Sequence, residues 1–227
     1  MVVVAAEFDQ LSALGMLAEP LRRRLYEFVV AQAFGVTRDE AAGALGVARS
    51  VAAFHLDKLV GAGLLEAEHR RPAGRRGPGA GRPALWYRRA EHELSVSVPE
   101  RRYQLAAEVL ADAAEEASGG VPLDDALRRA ARACGRRLGA SLSETRREHA
   151  LDALVEVLAA NGYEPHREER TIWLANCPFD ALAAGHRQLV CGMNLDLLRA
   201  VAEAAGLAPE AARLDPRPGR CCVSLAA

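Results

Sequence analysis

The chain holds five cysteines, Cys134, Cys177, Cys191, Cys221 and Cys222, and four of them fall in its last 51 residues. A thiolate is a nucleophile, a redox group and a soft metal ligand, so this clustering points to sulfur chemistry. The runs are Asn176-Cys177-Pro178-Phe179, Val190-Cys191-Gly192-Met193-Asn194 and Pro218-Gly219-Arg220-Cys221-Cys222-Val223. Pro178 suits the first position of a helix, which would make Cys177 its N-cap, and Cys191 is expected just before a helix starting near Asn194. At helix N-termini the dipole stabilises a thiolate and favours a bound anionic group. In a final strand over 221–225, Cys221 and Cys222 would face opposite sides, leaving one of them to join the other two. Thirteen residues separate Cys177 from Cys191 and 29 separate Cys191 from Cys221, spacings far looser than those of a zinc ribbon. They leave open an iron-sulfur cluster, zinc and a thiol redox switch, or packing alone, since free cysteine is among the most buried residue types. Cys134, on a helix between Ala133 and Gly135, is assigned to packing. His186 could serve as a further ligand, although a histidine at a helix end more often caps the helix or is solvated.

The second constellation lies near the start. Thr37 with Glu40 three residues on reads as a capping box opening a short helix through Leu45, and Gly46 ends it. A second helix follows from about Ala48 to Val60, with Val51, Leu56 and Leu59 as expected core positions, and Gly61-Ala62-Gly63 closes it. Two short helices joined at a glycine turn make a helix-turn-helix unit. Leu65–Arg70 and Ala84–Arg89 read as paired strands, and the stretch 70–89 carries seven arginines and no acid. The loop between those strands is expected to be a wing that brings positive charge to phosphates.

The run from Thr37 to Leu64, with Ala41 and Ala42, Gly46, the His55-Leu56 pair and Gly63-Leu64, resembles the winged helix-turn-helix of ArsR-type and related bacterial regulators. Ala48 departs from the usual Ser or Thr cap, a loss of roughly 1 kcal/mol. The resemblance implies a recognition helix in the major groove of an operator duplex. On it, Arg49 and Ser50 would reach base edges, Ala52 or Ala53 thymine methyls, and His55 and Lys58 phosphates, with His55 equally read as a helix-surface or packing histidine. Arg75, Arg76 and Arg82 are phosphate or minor-groove candidates from the wing. Regulators of this type read paired half-sites as homodimers, with recognition helices about 34 Å apart. From about Arg146 onward the chain resembles the sensor domain of SufR-like iron-sulfur repressors and, more loosely, four-vinyl-reductase-type small-molecule domains. That resemblance implies an iron-sulfur cluster or metal held by Cys177, Cys191 and Cys221 or Cys222, with zinc as the alternative, and repression governed by its state. The competing reading is an organic effector with structural cysteines.

The elements that would carry these groups make an α+β chain: an N-terminal winged helix-turn-helix over residues 1–92 and a mixed α/β sensor domain over 93–227. Leu14, Leu17, Leu21, Leu25 and Phe28 recur at helical spacing over 11–30, interrupted near Pro20. Helices are expected at about 100–116, 123–142, 146–160, 179–186 and 194–205, and a hairpin at 163–167 and 171–176. Residues 1–90 hold 13 Lys+Arg against 9 Asp+Glu, and residues 91–227 hold 16 against 21, or +4 and −5. Only the front half is therefore expected to meet a polyanion. No segment approaches the length of a membrane span and no export signal is evident, so a cytoplasmic protein without disulfides is expected. The nucleophile-elbow, P-loop, zincin and dinucleotide-binding patterns are lacking, which argues against an enzyme.

Overall fold

The computed structural model describes residues 10–70, 84–144 and 149–226. Two compact units divide the chain, Met1–Val96 and Ser97–Ala227. Among the described residues no helix is long and apolar enough to cross a membrane.

In the first unit the apolar periodicity over 11–30 is split into α1 (Gln10–Met16) and α2 (Pro20–Val30). Pro20 has no N–H to give to a preceding turn and opens a new helix instead. Glu19 caps that helix, its carboxylate accepting from the amides of Arg22 at 2.6 Å and Leu21 at 3.0 Å. The short strand β1 (Val36–Thr37) leads into α3 (Arg38–Leu45), which opens on the expected capping box and ends at Gly46 with φ of 67°. There a left-handed backbone requires a residue without Cβ strain. Helix α4 (Arg49–Gly61) starts at Ala48 without a side-chain cap. Strands β2 (Leu65–Arg70) and β3 (Ala84–Arg89) pair antiparallel, and β1 adds to β3 with Val36 opposite Tyr87. Leu25, Leu56, Leu59, Leu65 and Tyr87 are the large side chains of one buried core. Residues 71–83, where the wing with Arg75, Arg76 and Arg82 is expected, lie outside the described residues.

The second unit begins with α5 (Tyr103–Ser118) and α6 (Leu123–Leu138). The helix expected to run to 142 stops at Leu138 and continues as a 3-10 turn over Ala140–Glu144. Next come α7 (Ala150–Ala160), the hairpin β4 (Pro165–Glu168) and β5 (Thr171–Leu174), α8 (Asp180–Gly185) and α9 (Arg187–Ala204). A 3-10 turn at Pro209–Ala211 precedes β6 (Ala212–Leu214), and β7 (Val223–Ala226) completes an antiparallel sheet of order β4-β5-β7-β6. Helix α9 starts seven residues before the expected 194, and α6 lies very close to it. A Cβ on Gly135 would stand 2.2 Å from the carbonyl oxygen of Leu197, and one on Gly139 would stand 2.7 Å from the Cβ of Ala204. Small residues therefore let the two helix backbones meet. Inside this unit the buried Tyr163 hydroxyl donates to Asn194 Oδ1 at 2.6 Å, and Asn194 is fully buried in the middle of α9.

Candidate nucleic-acid interface and thiol cluster

Helix α4 is two-faced, as 3.6-residue periodicity demands. Ala52, Leu56 and Leu59 are fully buried in the core, whereas Phe54 is 57% and Val51 38% exposed. Ala52 thus cannot touch a thymine methyl: its side chain is spent on packing against the first-unit core. Ala53 is half-buried on the flank of the helix. Val51, expected in the core, joins the outward stripe with Ser50, Phe54 and Lys58, and the Lys58 ammonium lies 5.8 Å from the centre of the Phe54 ring. Of the two readings of His55, the packing one agrees with its surroundings. Its side chain is only 13% exposed, and Nδ1 stands 3.4 Å from Glu19, so it faces the cap of α2 rather than a phosphate. Arg49 projects from the first turn of α4 and pairs with Asp39 of α3 at 2.6 Å, both groups being largely exposed. Such a pair contributes little to folding and can be surrendered to a stronger anion.

A partly buried anchor links α4 to its neighbours. Arg38 donates to Tyr87 Oη at 2.5 Å and to the Asp57 carboxylate at 2.8 and 3.1 Å, and the Tyr87 hydroxyl donates to Asp57 at 2.7 Å. These three residues join the first turn of α3, the last turns of α4 and the central strand of the sheet. Burial and then the Asp57 hydrogen bond push the Tyr87 hydroxyl up to about 12. Tyr87→Phe is expected to lower the stability of this unit by about 1–2 kcal/mol in denaturant unfolding followed through Trp86 in a Trp173→Phe background. A folded-state value above the unfolded one means that the Tyr87 contribution is full below about pH 10 and is lost as the pH rises toward about 12. The same variant should flatten that alkaline decline, and an unchanged alkaline slope would remove Tyr87 as its source.

Residues 17–68 match the family model described as a helix-turn-helix domain. The first unit carries a helix-turn-helix domain. The match spans α2, α3 and α4, the elements whose packing leaves Arg49, Ser50, Val51, Phe54 and Lys58 facing outward. No curated protein and no solved structure matches the chain. Phe54 of the helix-turn-helix domain went unread in the sequence because an aromatic between two alanines and a histidine reads as core.

The cysteines of the second unit fall into two sets. Cys177, Cys221 and Cys222 lie near one another, close enough for the Cys177 and Cys221 thiols to be shifted by their cysteine neighbours. Cys221 is tied to the end of β5 by its amide bond to the Leu174 carbonyl at 2.9 Å, and Asn194 Nδ2 donates to its sulfur at 3.3 Å. Cys222 is not turned away from Cys221 as strand alternation would require, since both precede β7 and Cys222 sits in a bend. Cys177 is not a helix N-cap either; Phe179 holds that position before α8. Cys191 lies inside the second turn of α9, not ahead of a helix, and is absent from the neighbours that shift the Cys177 and Cys221 thiols. Both helix-terminus expectations fail because α9 begins at Arg187 and Pro178 opens a turn rather than a helix.

The electrostatics follow. Hydrogen bonding from Cys221 and then burial raise the Cys177 thiol well above its ordinary value. For Cys221 the bond with Cys177 acts downward, but the bond with Cys222 and burial outweigh it and push the thiol up to about 12. Burial likewise raises Cys134, which sits in the α5–α6–α9 core. Among the described residues no three His, Cys, Asp or Glu side chains are arranged to hold a metal ion. The sulfur donors have the right chemistry for an iron-sulfur cluster or zinc. His186 precedes α9 without a side-chain capping bond and lines a cleft of about 590 Å³ with Asp124, Arg128, Arg187, Met193 and Asp196.

Proposed function

We propose that this chain is a DNA-binding transcriptional regulator, a repressor acting as a homodimer, whose second unit senses through the Cys177-Cys221-Cys222 cluster. One observation carries the DNA-binding part: within a helix-turn-helix domain, α4 spends Ala52, Leu56 and Leu59 on the core and offers Arg49, Ser50, Val51, Phe54 and Lys58 to the outside. Arg49 and Ser50, in the first turn, would hydrogen-bond base edges. Val51 and Phe54 take over the role of thymine-methyl readers, which the burial of Ala52 denies it. Lys58, near the helix end, suits a phosphate, as do Arg75, Arg76 and Arg82 if the segment between β2 and β3 acts as a wing.

For the sensing part, the support is a buried polar chain, Tyr163 to Asn194 to Cys221, with Cys177 near its end. Buried polar networks of this kind are costly to leave half-satisfied and mark sites kept for a purpose other than packing. The quantity sensed is the state of the thiols themselves. Protein purified without air should contain neither stoichiometric iron and sulfide nor zinc, and should bind a promoter duplex with an affinity that changes when its thiols are oxidised. Iron with matching sulfide, lost in a Cys177→Ser variant, would replace the thiol reading by the cluster that the resemblance implies.

The organic-effector reading rests on a different feature, the open cleft of about 590 Å³ between the start of α6 and the α8–α9 junction. Its size is that of a small-molecule site. An effector that raises the melting temperature of the chain with all the cysteines replaced by serine would favour it.

A further inference from the structure

The outer face of the second unit's sheet carries a row of side chains separate from the cysteines. Strand alternation on β7 sends Val223 and Leu225 into the core and Ser224 to the opposite face. On that face Arg213 of β6 lies directly across from Ser224, while Trp173 of β5 lies across from His166 of β4. The β5–β7 register, with Ile172 opposite Leu225, keeps Trp173 and Ser224 on one side. His166 stacks on the Trp173 indole with ring centres 4.1 Å apart and 7° between the planes. The Arg220 guanidinium lies 3.8 Å from the same ring centre. Since His166 takes the ring face toward β4, Arg220 must take the other, which looks toward β7. The strand order β4-β5-β7-β6 therefore sets Ser224 between Arg220 on one side and Arg213 on the other.

Ser224 is only 3% exposed, and its buried hydroxyl has no hydrogen-bond partner among the described residues. Neither Arg213 nor Arg220 has a carboxylate partner among those residues. Two acids of this region are engaged elsewhere: Asp215 pairs with Arg217 at 3.1 Å, and Glu168 accepts the Trp173 indole N–H at 2.9 Å. A buried hydroxyl without a partner costs stability, and guanidinium groups bring donors only. What the three groups share is the want of an acceptor. We propose that Ser224, Arg213 and Arg220 form a binding site for an oxyanion, the carboxylate or phosphate group of a small acidic ligand. The planar guanidinium fork matches either group, and the Ser224 hydroxyl supplies a further donor. Trp173 holds the Arg220 guanidinium by its face. Arg220 is exposed and comes from the loop between β6 and β7, so it can swing aside to let the anion reach Ser224. This site depends neither on the thiol reading nor on the cleft at the α8–α9 junction.

Trp173 reports occupancy because Arg220 rests on its ring, and in a Trp86→Phe background it is the sole tryptophan. The full chain is titrated with inorganic phosphate and with acetate at constant ionic strength, read by Trp173 emission and independently by calorimetry. At least one of the two anions is expected to bind saturably, and which one does so tells a phosphate ester from a carboxylate as the ligand. Arg213→Gln and Arg220→Gln should each weaken that binding about tenfold, and Ser224→Ala about threefold. Ser224→Ala should also leave the melting temperature of the free chain unchanged or higher, because it removes an unpaired polar group. This variant carries the test if an arginine variant does not fold. Binding of neither anion, or binding that all three variants retain in full, would overturn the proposal. So would a lower melting temperature for Ser224→Ala with unaltered binding, the mark of a hydroxyl held inside the fold. A promoter duplex that changes Trp173 emission where both small anions leave it unchanged would overturn it as well, and would make this face a nucleic-acid surface.

Discussion

A Gly135→Val variant is expected to lose the fold of the second unit, and Gly135→Ala to lower its stability by about 3 kcal/mol or more. The cause is a backbone contact rather than a side-chain one. The first added carbon would lie 2.2 Å from the Leu197 carbonyl oxygen, 3.0 Å from its carbon and 2.9 Å from the Cβ of Ala200. No rotamer change relieves a collision with a helix backbone, so α6 and α9 would have to separate, and the core that both cover would open with them. Against a total stability of about 5–15 kcal/mol for a domain, such a loss is decisive. Gly192, also within a helix, gives the contrast: its added Cβ meets no heavy atom within 4 Å. Gly192→Ala should therefore stabilise the unit by up to about 1 kcal/mol through helix propensity alone. Urea unfolding followed by Trp173 fluorescence in a Trp86→Phe background separates the two. Equal behaviour of the two alanine variants would mean that α6 and α9 do not meet as described.

The second large effect is expected at Arg49. Its substitution by alanine should weaken binding to the preferred duplex by about 1–3 kcal/mol while scarcely altering binding to random sequence, so that sequence preference relaxes. Lys58→Ala should instead weaken all duplexes alike and reduce the salt dependence of binding by about one counterion. The Arg49–Asp39 pair adds a sign that contact lists alone would not give. Asp39 competes with the duplex for Arg49, so Asp39→Asn should tighten binding rather than weaken it. Weaker binding in Asp39→Asn would mean that Asp39 orients Arg49 for the duplex, not that it competes. Titrations at two salt concentrations on preferred and scrambled duplexes read all three variants.

Local rules made the helix-turn-helix legible. Thr37 and Glu40 cap α3 because a side-chain oxygen and an amide three residues apart meet in any helix start, and Gly46 ends it because the left-handed turn suits glycine. Which face of α4 points inward was less legible. Val51, Ala52, Ala53 and Phe54 form an unbroken run of apolar residues, and such a run does not mark its own buried side. The contacts of α2 and the sheet chose Ala52 and Leu56, leaving Val51 and Phe54 outside. His55 was drawn to Glu19, a residue 36 positions away that became a helix cap only through Pro20.

The number of cysteines and their concentration near the end of the chain were legible from the start, together with the soft chemistry of sulfur. Local cues misplaced them relative to helix ends, since α9 starts at Arg187 with no capping side chain to mark it. Bringing Cys177 beside Cys221, 44 residues later, depended on β7 pairing with β5, and setting Cys191 apart depended on where α9 begins. Covalent neighbours determine caps and turns, so capping boxes and glycine stops can be read from a sequence. Which sulfur meets which, and which side of α4 meets solvent, is decided by long-range burial of apolar surface, and only the assembled core expresses that.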